Sequence, residues 1–278
     1  MNPLNWGLST HLFVYQPISA EVLDAINNMG IHQIELWGMR PHFEYADSLV
    51  VADLKSELIR RNMRVYAVHA PFYVHVEQLK LGRELSLCSD DPDQRGKALQ
   101  HIGLVAERMP GLGAGRLILH VGGLHDEYSP QSIGLFKEHV LKLLPLLERL
   151  DLTLALENIA TPLSSISNLI DIIEDINSPR LGICLDIGHA NLTGNPLEAI
   201  SRCAEHLFAV HISDNNGQTD QHLVPGEGNI PWQKVFRKLE EAGFSGPLTL
   251  ELRQYGEWPE FREKIIRCIQ NPNPFSSL

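Results

Sequence analysis

The feature that most constrains the fold of this chain is a regular alternation of short, β-rich apolar runs with longer amphipathic stretches. The alternation occurs eight times along the 278 residues. Runs such as LILHV (117–121) and LFAVHI (207–212) are almost continuously apolar, as expected of strands in a parallel sheet that is covered on both faces. The pattern therefore predicts an α/β fold built from eight β–α units.

The predicted strands and helices follow one another without a Pro/Ser-rich linker. Strands are predicted at 4–9, 31–37, 64–69, 116–121, 151–157, 181–187, 207–213 and 247–252. Helices are predicted at 17–30, 47–62, 92–109, 130–150, 165–176, 196–205, 231–242 and 258–269. Eight such units predict a single (β/α)8 TIM barrel domain over residues 1–278, since this fold usually has ~250 residues. A doubly wound open sheet is the alternative.

Composition narrows the class of protein. Hydrophobic residues make up 44% of the chain and charged residues 21%, which excludes a fibrous or disordered protein. No apolar run reaches the ~20 residues that a membrane helix needs, and the N-terminus lacks the pattern of a signal peptide. The four cysteines have no CxxC spacing, which disfavours a disulfide framework or a thiolate zinc site. We therefore expect a cytoplasmic protein with no membrane partner.

Histidine is unusually frequent in the composition, with 13 residues. In a barrel of this kind the active site lies at the carboxyl ends of the strands, and six consecutive predicted strands end in imidazoles or carboxylates. One such side chain alone is typically a helix cap or a surface charge, but chance does not explain the whole set. The nine side chains are His69, His120, Glu157, Asp186, His189, His211, Asp220, His222 and Glu251.

Histidine, aspartate and glutamate without cysteine are the usual donors of catalytic zinc, manganese, iron or cobalt. Nine donors exceed what one ion of roughly four to six coordination can use. Either two or three ions share the donors, or some donors bind substrate. Three dications would leave a positive pocket suited to a phosphate, whereas one dication would leave a carboxylate free to act as a base.

Seven stretches resemble the xylose isomerase-like TIM barrels. That family includes sugar and sugar-phosphate isomerases and epimerases as well as the endonuclease IV apurinic-site nucleases (AP endonuclease family 2). The stretches are HAPF (69–72), LILHVGG (117–123), LALEN (154–158), CLDIGHANL (184–192), VHISDNNG (210–217), HLVPGEGNIPW (222–232) and LTLELR (248–253). Because they span most of the chain, the resemblance implies the barrel fold throughout.

The resemblance implies two candidate activities. In the sugar enzymes, residues that match Glu157, Asp186, His211 and Glu251 hold one divalent metal, zinc or manganese. The two glutamates there move a proton through an enediolate, so Glu157 and Glu251 become the expected catalytic pair and His189 an expected substrate contact. In endonuclease IV the full nine-donor set holds three zinc ions for phosphodiester hydrolysis, and this chain matches every position.

Other features favour the sugar enzymes. Glu35 in IELW (34–37) matches an acid that is common in the isomerase-like relatives. The segment GMRPHFEY (38–45), which corresponds to the DNA-facing loop of the nucleases, has only Arg40 as a permanent cation. The net charge of −11 also disfavours nucleic acid as a partner, without excluding it.

We therefore predict a metal-dependent isomerase or epimerase whose partner is a small sugar or sugar phosphate. An abasic-site endonuclease with three zinc ions is the alternative, and a non-catalytic metal-binding barrel is a minor alternative. A homo-oligomer is left open.

Four more residues are predicted to contact the substrate. Trp37 and Phe72 would wall the pocket against a sugar face, although core packing also explains each of them. Arg253 would pair with a phosphate or carboxylate, or would brace a metal-bound carboxylate. Gly226 in PGEGN (225–229) would offer a backbone N–H to a phosphate, and a plain turn is the alternative for that segment.

Overall fold

Eight parallel strands close into a barrel in this computed structural model, which describes residues 4–270. The strands are β1 (Trp6–Ser9), β2 (Gln33–Trp37), β3 (Arg64–His69), β4 (Arg116–His120), β5 (Thr153–Glu157), β6 (Leu181–Asp186), β7 (Leu207–Ile212) and β8 (Leu248–Leu250). Each strand pairs with its sequence neighbours, and β8 pairs with β1. The predicted (β/α)8 barrel is therefore confirmed, and the open-sheet alternative is wrong. Residues 1–3 and 271–278 of the predicted one-domain span lie outside the described residues, and that span stays a prediction.

Helices surround the barrel, and polar side chains fix where several of them begin. Ser19, Asp47 and Asp91 each accept a hydrogen bond from a first-turn N–H, which satisfies a donor that has no partner within the helix. No helix within residues 4–270 has the length and apolarity to cross a membrane. The helices are α1 (Ala20–Asn27), α2 (Ser48–Arg60), α3 (Val76–Lys80), α4 (Pro92–Leu112), α5 (Pro130–Arg149), α6 (Ile166–Ile176), α7 (Ile187–Thr193), α8 (Pro196–Cys203), α9 (Trp232–Glu241) and α10 (Trp258–Gln270).

Two helices were not predicted, and α4 continues well past its predicted end at residue 109. Helices α3 and α7 have five and seven residues, which is too short for a helical period to show in the sequence. Helix α4 continues past Pro110 to Leu112, because a proline in the last turn removes only one N–H donor. Gly113 then ends this helix in the left-handed conformation, with φ of 77°.

Small and medium side chains fill the barrel one layer below the strand ends. Ala67, Ile118, Ala155, Cys184 and Ala209 form a separate buried cluster. Each stands two residues before one of the nine predicted donors in its own strand, and side chains two residues apart in a strand point to the same face. The donors on β3 to β7 therefore point inward at the mouth of the barrel.

The connection between β7 and α9 is folded around the buried carboxylate of Asp214. Its Oδ2 accepts hydrogen bonds from the Gly226 N–H and from Nε1–H of Trp232, both at 2.8 Å. Asp214 and Leu223 also exchange two backbone hydrogen bonds of 2.8 and 2.9 Å. These bonds close the base of the segment 215–222, which contains two of the nine donors.

We expect Asp214→Ala to lower the free energy of unfolding by about 3 kcal/mol or more, because several buried donors would lose their acceptor. Chemical denaturation followed by circular dichroism would measure the change. Asp175→Ala is the control, since Asp175 is an exposed acid in a surface ion pair with Lys137, and such pairs contribute about 0–1 kcal/mol. Equal, small losses in the two variants would contradict the role given to Asp214.

Candidate metal centre

Nine side chains with metal-binding atoms meet at the mouth of the barrel in three groups. Within each group the donor atoms lie within 4.8 Å of one another. The outer group is His69, His120 and Glu157; the central group is Glu157, Asp186, His211 and Glu251; the loop group is His189, Asp220 and His222. Glu157 belongs to two groups and so joins the outer group to the central one. The structure thus brings together every donor that the sequence predicted, while their roles stay a proposal.

The central group is closed off from solvent. Asp186 and His211 are fully buried, Glu157 is 1% exposed and Glu251 is 3% exposed. Three carboxylates buried this deeply are costly unless positive charge lies among them. Asp220 of the loop group is a third exposed, so the loop group is the one nearest to water.

The ring of His69 shows why a cation fits the outer group. Its Nδ1 lies 2.8 Å from the carbonyl oxygen of Ala70; that oxygen only accepts, so Nδ1 carries the hydrogen. Nε2 of the neutral ring is then an acceptor. Yet it lies 3.0 Å from Oε2 of Glu157 and 3.1 Å from Nε2 of His120. The lone pairs of His69 Nε2 and Glu157 Oε2, which face one another at 3.0 Å, need a shared proton or a metal ion between them.

His222 repeats this arrangement in the loop group. Its Nδ1–H donates to the backbone carbonyl of Glu251 at 2.8 Å, which leaves Nε2 facing Oδ2 of Asp220 at 3.1 Å. The backbone of His222 has φ of 48°, a left-handed conformation that non-glycine residues seldom adopt. The segment 215–222 therefore holds this imidazole at an energetic cost, as is common at functional sites.

His211 has the same arrangement in the central group, with one ring nitrogen bonded to an acceptor and the other facing carboxylates. Here the acceptor is a side chain and not a backbone carbonyl. Its Nε2 lies 3.0 Å from the carboxylate of Glu35, and its Nδ1 faces Glu157 at 3.0 Å and Glu251 at 3.5 Å. Because Glu35 accepts the Nε2 hydrogen, Nδ1 of the neutral ring presents a lone pair to two carboxylates.

Three further atoms of the nine donor side chains have no hydrogen-bond partner among the described residues. They are Nδ1 of His120, Oδ2 of Asp186 and Nδ1 of His189, and all three are buried. Buried polar atoms without a partner are rare in proteins and call for an explanation. Together with the facing lone pairs, they fit the donor set of zinc, manganese or a similar divalent ion.

The two glutamates of the central group have opposite pKa shifts. Burial raises the pKa of Glu251 to about 7, and the neighbouring Glu157 adds to the rise. Burial also acts on Glu157, but the nearby rings of His211 and His120 outweigh it and hold the pKa of Glu157 well below its ordinary value. Paired groups whose surroundings separate their pKa values are typical of an acid and its partner base.

In the loop group, carboxylates raise the pKa of a histidine. Burial alone would lower the pKa of His189, but Asp186, Asp220 and Glu157 outweigh it and raise this pKa to about 10. Without a metal ion, His189 therefore holds a proton at neutral pH, as a positive charge among the acids.

A cavity of about 340 Å³ opens above the three groups. Trp37 and Phe72, predicted to face the substrate, both line it together with His189. Trp37 stacks on the ring of His69 with centroids 3.9 Å apart, and Phe72 meets His120 edge-on at 4.6 Å. These aromatic rings therefore contact the candidate metal donors as well as the space for a substrate.

The two other predicted substrate contacts are held by protein groups. Arg253 lines the cavity, but its guanidinium donates to Oδ2 of Asp220 at 3.1 Å and to the Asp220 carbonyl at 3.0 Å. This arginine thus braces a candidate metal ligand. Gly226 is not among the residues that line the cavity, and its N–H is bonded to Asp214. The predicted phosphate contact therefore has no free donor at Gly226.

Sequence reasoning gave no site role to Glu35 or His11. Glu35 is buried against His211, and its position near the end of a strand was the available signal. His11 lines the cavity, with its ring 4.7 Å from Trp37 and 5.8 Å from His222. Burial, together with the neighbouring His222, lowers the pKa of His11 well below its usual value, so this ring is neutral. The sequence places His11 near the rim, just after the first predicted strand, but no pattern assigned it a role.

Comparison with known proteins agrees with this architecture. A sequence model of the family described as xylose isomerase-like TIM barrel matches residues 23–271. Fructoselysine 3-epimerase of Escherichia coli O157:H7 is 27% identical over 245 residues, covering 85% of this chain and 86% of that protein. An uncharacterized protein of Methanocaldococcus jannaschii is 38% identical over 109 residues, which are 38% of this chain and only 37% of that protein.

A solved structure shares the overall fold. The crystal structure of a D-tagatose 3-epimerase-like protein superposes with a TM-score of 0.80, covering 95% of this chain and 94% of that one. The two sequences are 24% identical, so this likeness is one of fold.

We expect metal affinity to rise with pH between about pH 6 and 8. Glu251 and His189, with pKa values of about 7 and about 10, both bind a metal only after losing a proton. Each proton released per ion steepens the dependence by about tenfold per pH unit. Competition with a chelator of known affinity would measure the slope, and calorimetry in two buffers would count the protons. An affinity that stays constant over this range would contradict the proton–metal exchange.

Proposed function

Since this chain belongs to the xylose isomerase-like TIM barrel family, we propose that it epimerises or isomerises a sugar or sugar phosphate with the help of a divalent metal. The observation that carries the proposal is the placement of two glutamates around one imidazole nitrogen. Glu157 and Glu251 lie 3.0 and 3.5 Å from Nδ1 of His211. Both glutamates also line the cavity.

The two glutamates are suited to move a proton at one carbon. A glutamate with a low pKa is ionised and can accept a proton, while one with a pKa of about 7 can carry and return a proton at neutral pH. If Glu157 and Glu251 face opposite sides of a carbon next to a carbonyl, removal on one side and return on the other inverts that carbon. Removal and return on neighbouring carbons instead moves the carbonyl.

The central group would hold the ion that this chemistry needs. Glu157, Asp186, His211 and Glu251 offer four donor atoms, three of them from carboxylates. When bound, a dication supplies positive charge that stabilises the oxygens of an enediolate. The protein's own part is to bind the sugar, to exclude water from the buried carboxylates and to hold the proton on one glutamate between removal and return.

The apolar side chains of the cavity support a substrate that is a sugar. Val14, Trp37, Tyr73, Leu79 and Leu124 are among its lining residues, and aromatic rings pack well on the apolar face of a sugar ring. Arg253 is the one lysine or arginine among the described lining residues, and it is bonded to Asp220. The lining therefore favours the uncharged part of a sugar over a phosphate.

The relatives support a reaction at carbon 3. Fructoselysine 3-epimerase, which aligns with 85% of this chain, carries that position in its name, and L-ribulose-5-phosphate 3-epimerase of Escherichia coli (strain K12) matches half of the chain. We therefore place 3-epimerisation of a ketose ahead of isomerisation. A cytoplasmic location and a homo-oligomer stay predictions.

Solvent hydrogen exchange tests the proposal. Protein loaded with Mn²⁺, Co²⁺ or Zn²⁺ is incubated with ketoses and ketose phosphates in ²H₂O, and products are followed by NMR. We expect deuterium at carbon 3 together with the epimer. Glu251→Gln and Glu157→Gln should each slow the exchange by about 10²-fold or more, because general acid–base catalysis contributes about 10²–10⁴-fold.

The control for this test is Glu241→Gln, the same change at an exposed residue paired with Lys238. The metal content of every variant is measured in parallel, so that loss of metal is not mistaken for loss of the proton carrier. Exchange that persists in Glu251→Gln loaded with metal would contradict the acid–base role. Absence of exchange with every sugar in the loaded native protein would contradict the proposed function.

Phosphodiester hydrolysis is the second candidate, and the completeness of the three donor groups favours it. Nine donors in three groups would suit three ions spread along a phosphate. The ion pair of Arg253 with Asp220 argues against phosphodiester hydrolysis, since binding to duplex DNA relies on free cationic side chains at phosphates. A non-catalytic barrel is the third possibility.

Metal content and an abasic-site duplex separate these candidates. We expect the native protein to leave the duplex uncut, even with saturating zinc. Three tightly held zinc ions per chain together with cleavage that His69→Ala abolishes would reverse the order of the two candidates. A folded, metal-loaded protein without turnover on sugars or DNA would leave the non-catalytic barrel.

A further inference from the structure

Glu35 is a fifth carboxylate at the centre, and it belongs to none of the three donor groups. We propose that Glu35 is a positioning residue that makes the central group the tightest metal site, so that this group takes up the first ion. The inference rests on the metal dependence proposed above. It concerns the order and strength of metal binding rather than the reaction.

The position of Glu35 restricts it to this indirect role. It lies on β2, where it pairs with Ser9 of β1 and with Ala67 of β3. Ala67 belongs to the buried layer below the mouth. Glu35 is 1% exposed and does not line the cavity. It therefore does not touch the substrate, and it acts through the side chain above it.

Two hydrogen bonds hold the Glu35 carboxylate. The hydroxyl of Ser9 donates to Oε1 at 3.2 Å, and the Nε2–H of His211 donates to Oε2 at 3.0 Å. Among the described residues, His211 is the only basic side chain within ion-pair distance of Glu35. A buried carboxylate without its own lysine or arginine needs positive charge close by. Here that charge reaches it through the imidazole.

The partner of His211 differs from those of the corresponding histidines in the other groups. His69 and His222 donate their outer hydrogen to backbone carbonyls, those of Ala70 and Glu251. His211 donates to the carboxylate of Glu35 instead. An anionic partner draws the hydrogen of the ring more strongly, which makes the opposite nitrogen a better metal donor. Of these three rings, His211 therefore has the most basic inward nitrogen.

The number of carboxylates adds to the same effect. The central group contains three carboxylates, and Glu35 places a fourth negative charge directly behind its imidazole. The outer group has one carboxylate and the loop group has one. Attraction for a dication is therefore greatest at the central group, and Glu35 strengthens that group more than the others.

Metal titration of Glu35→Gln tests the inference. Glutamine keeps the size of the side chain and accepts from His211 through its carbonyl oxygen. Its NH2 group can donate to the Ser9 hydroxyl oxygen, which reverses the direction of the Ser9 bond, so the main change is the loss of the charge. Metal-free protein is titrated with Zn²⁺ or Co²⁺ against a coloured chelator. We expect the affinity for the first ion to fall by about 10–100-fold, the usual effect of removing such a hydrogen-bond partner. Any weaker ions should bind as before.

Two other variants make the outcome interpretable. Glu198→Gln removes the same charge from an exposed position on α8 and should bind the first ion like the native protein. Ser9→Ala removes the hydrogen bond to Glu35, together with the 3.4 Å bond that Ser9 Oγ accepts from the backbone N–H of His11. It should weaken the first ion by about a few fold, in the same direction. Ser9→Ala also carries the test if Glu35→Gln does not fold. The spectrum of the first Co²⁺ equivalent should change in Glu35→Gln and stay native in Glu198→Gln.

Each outcome separates this inference from the proposed function. First-ion affinity that is native in both Glu35→Gln and Ser9→Ala would overturn the role of Glu35 and leave metal-dependent epimerisation standing. An equal loss at all ions would show a general structural effect and would also overturn it. Native protein that binds no divalent ion would overturn both the inference and the proposed metal dependence.

Discussion

Too many lone pairs meet at the mouth of this barrel for the hydrogens available, and the rest of the centre depends on that imbalance. The carboxylate of Glu157 alone lies within 3.1 Å of the rings of His69, His120 and His211. The carbonyl oxygen of Ala70 and the carboxylate of Glu35 hold the outer hydrogens of His69 and His211, and Nδ1 of His120 has no hydrogen-bond partner among the described residues. Positive charge, as protons or as metal ions, is therefore a condition for closing the barrel around these side chains.

The polar mouth of the barrel also determines which part of the structure stabilises the fold. A barrel whose upper interior is polar and whose next layer is mostly alanine and cysteine buries little apolar surface inside. Most of the apolar core lies between the strands and the helices, where Leu, Ile, Val and Phe side chains pack. Packing between the strands and the helices thus holds the barrel closed, and the side chains at the top of its interior are available for metal binding and catalysis.

Much of this could be predicted from the sequence because parallel strands bring their ends to one rim. Placing His69, Glu157 and Glu251 at strand ends was enough to expect them together. What the sequence did not reveal depends on three-dimensional neighbours. Glu35 looks like an ordinary strand acid until its contact with His211 is known. The segment 225–229 looks like a phosphate loop until the partner of its N–H is known. Helix α7 was too short to leave a period, although its cap, Asp186, was recognised as a donor.

The closed base of the segment 215–222 has a consequence for how such barrels change over evolution. Two backbone bonds between Asp214 and Leu223 and the Trp232 contact fix both ends of this segment, and Asn216 ties its turn internally. Substitutions at Asp220 and His222 would therefore remove two of the three donors of the loop group without disturbing a strand. Sequence changes confined to this segment could therefore add or remove a metal position. The two glutamates of the central group would remain in place.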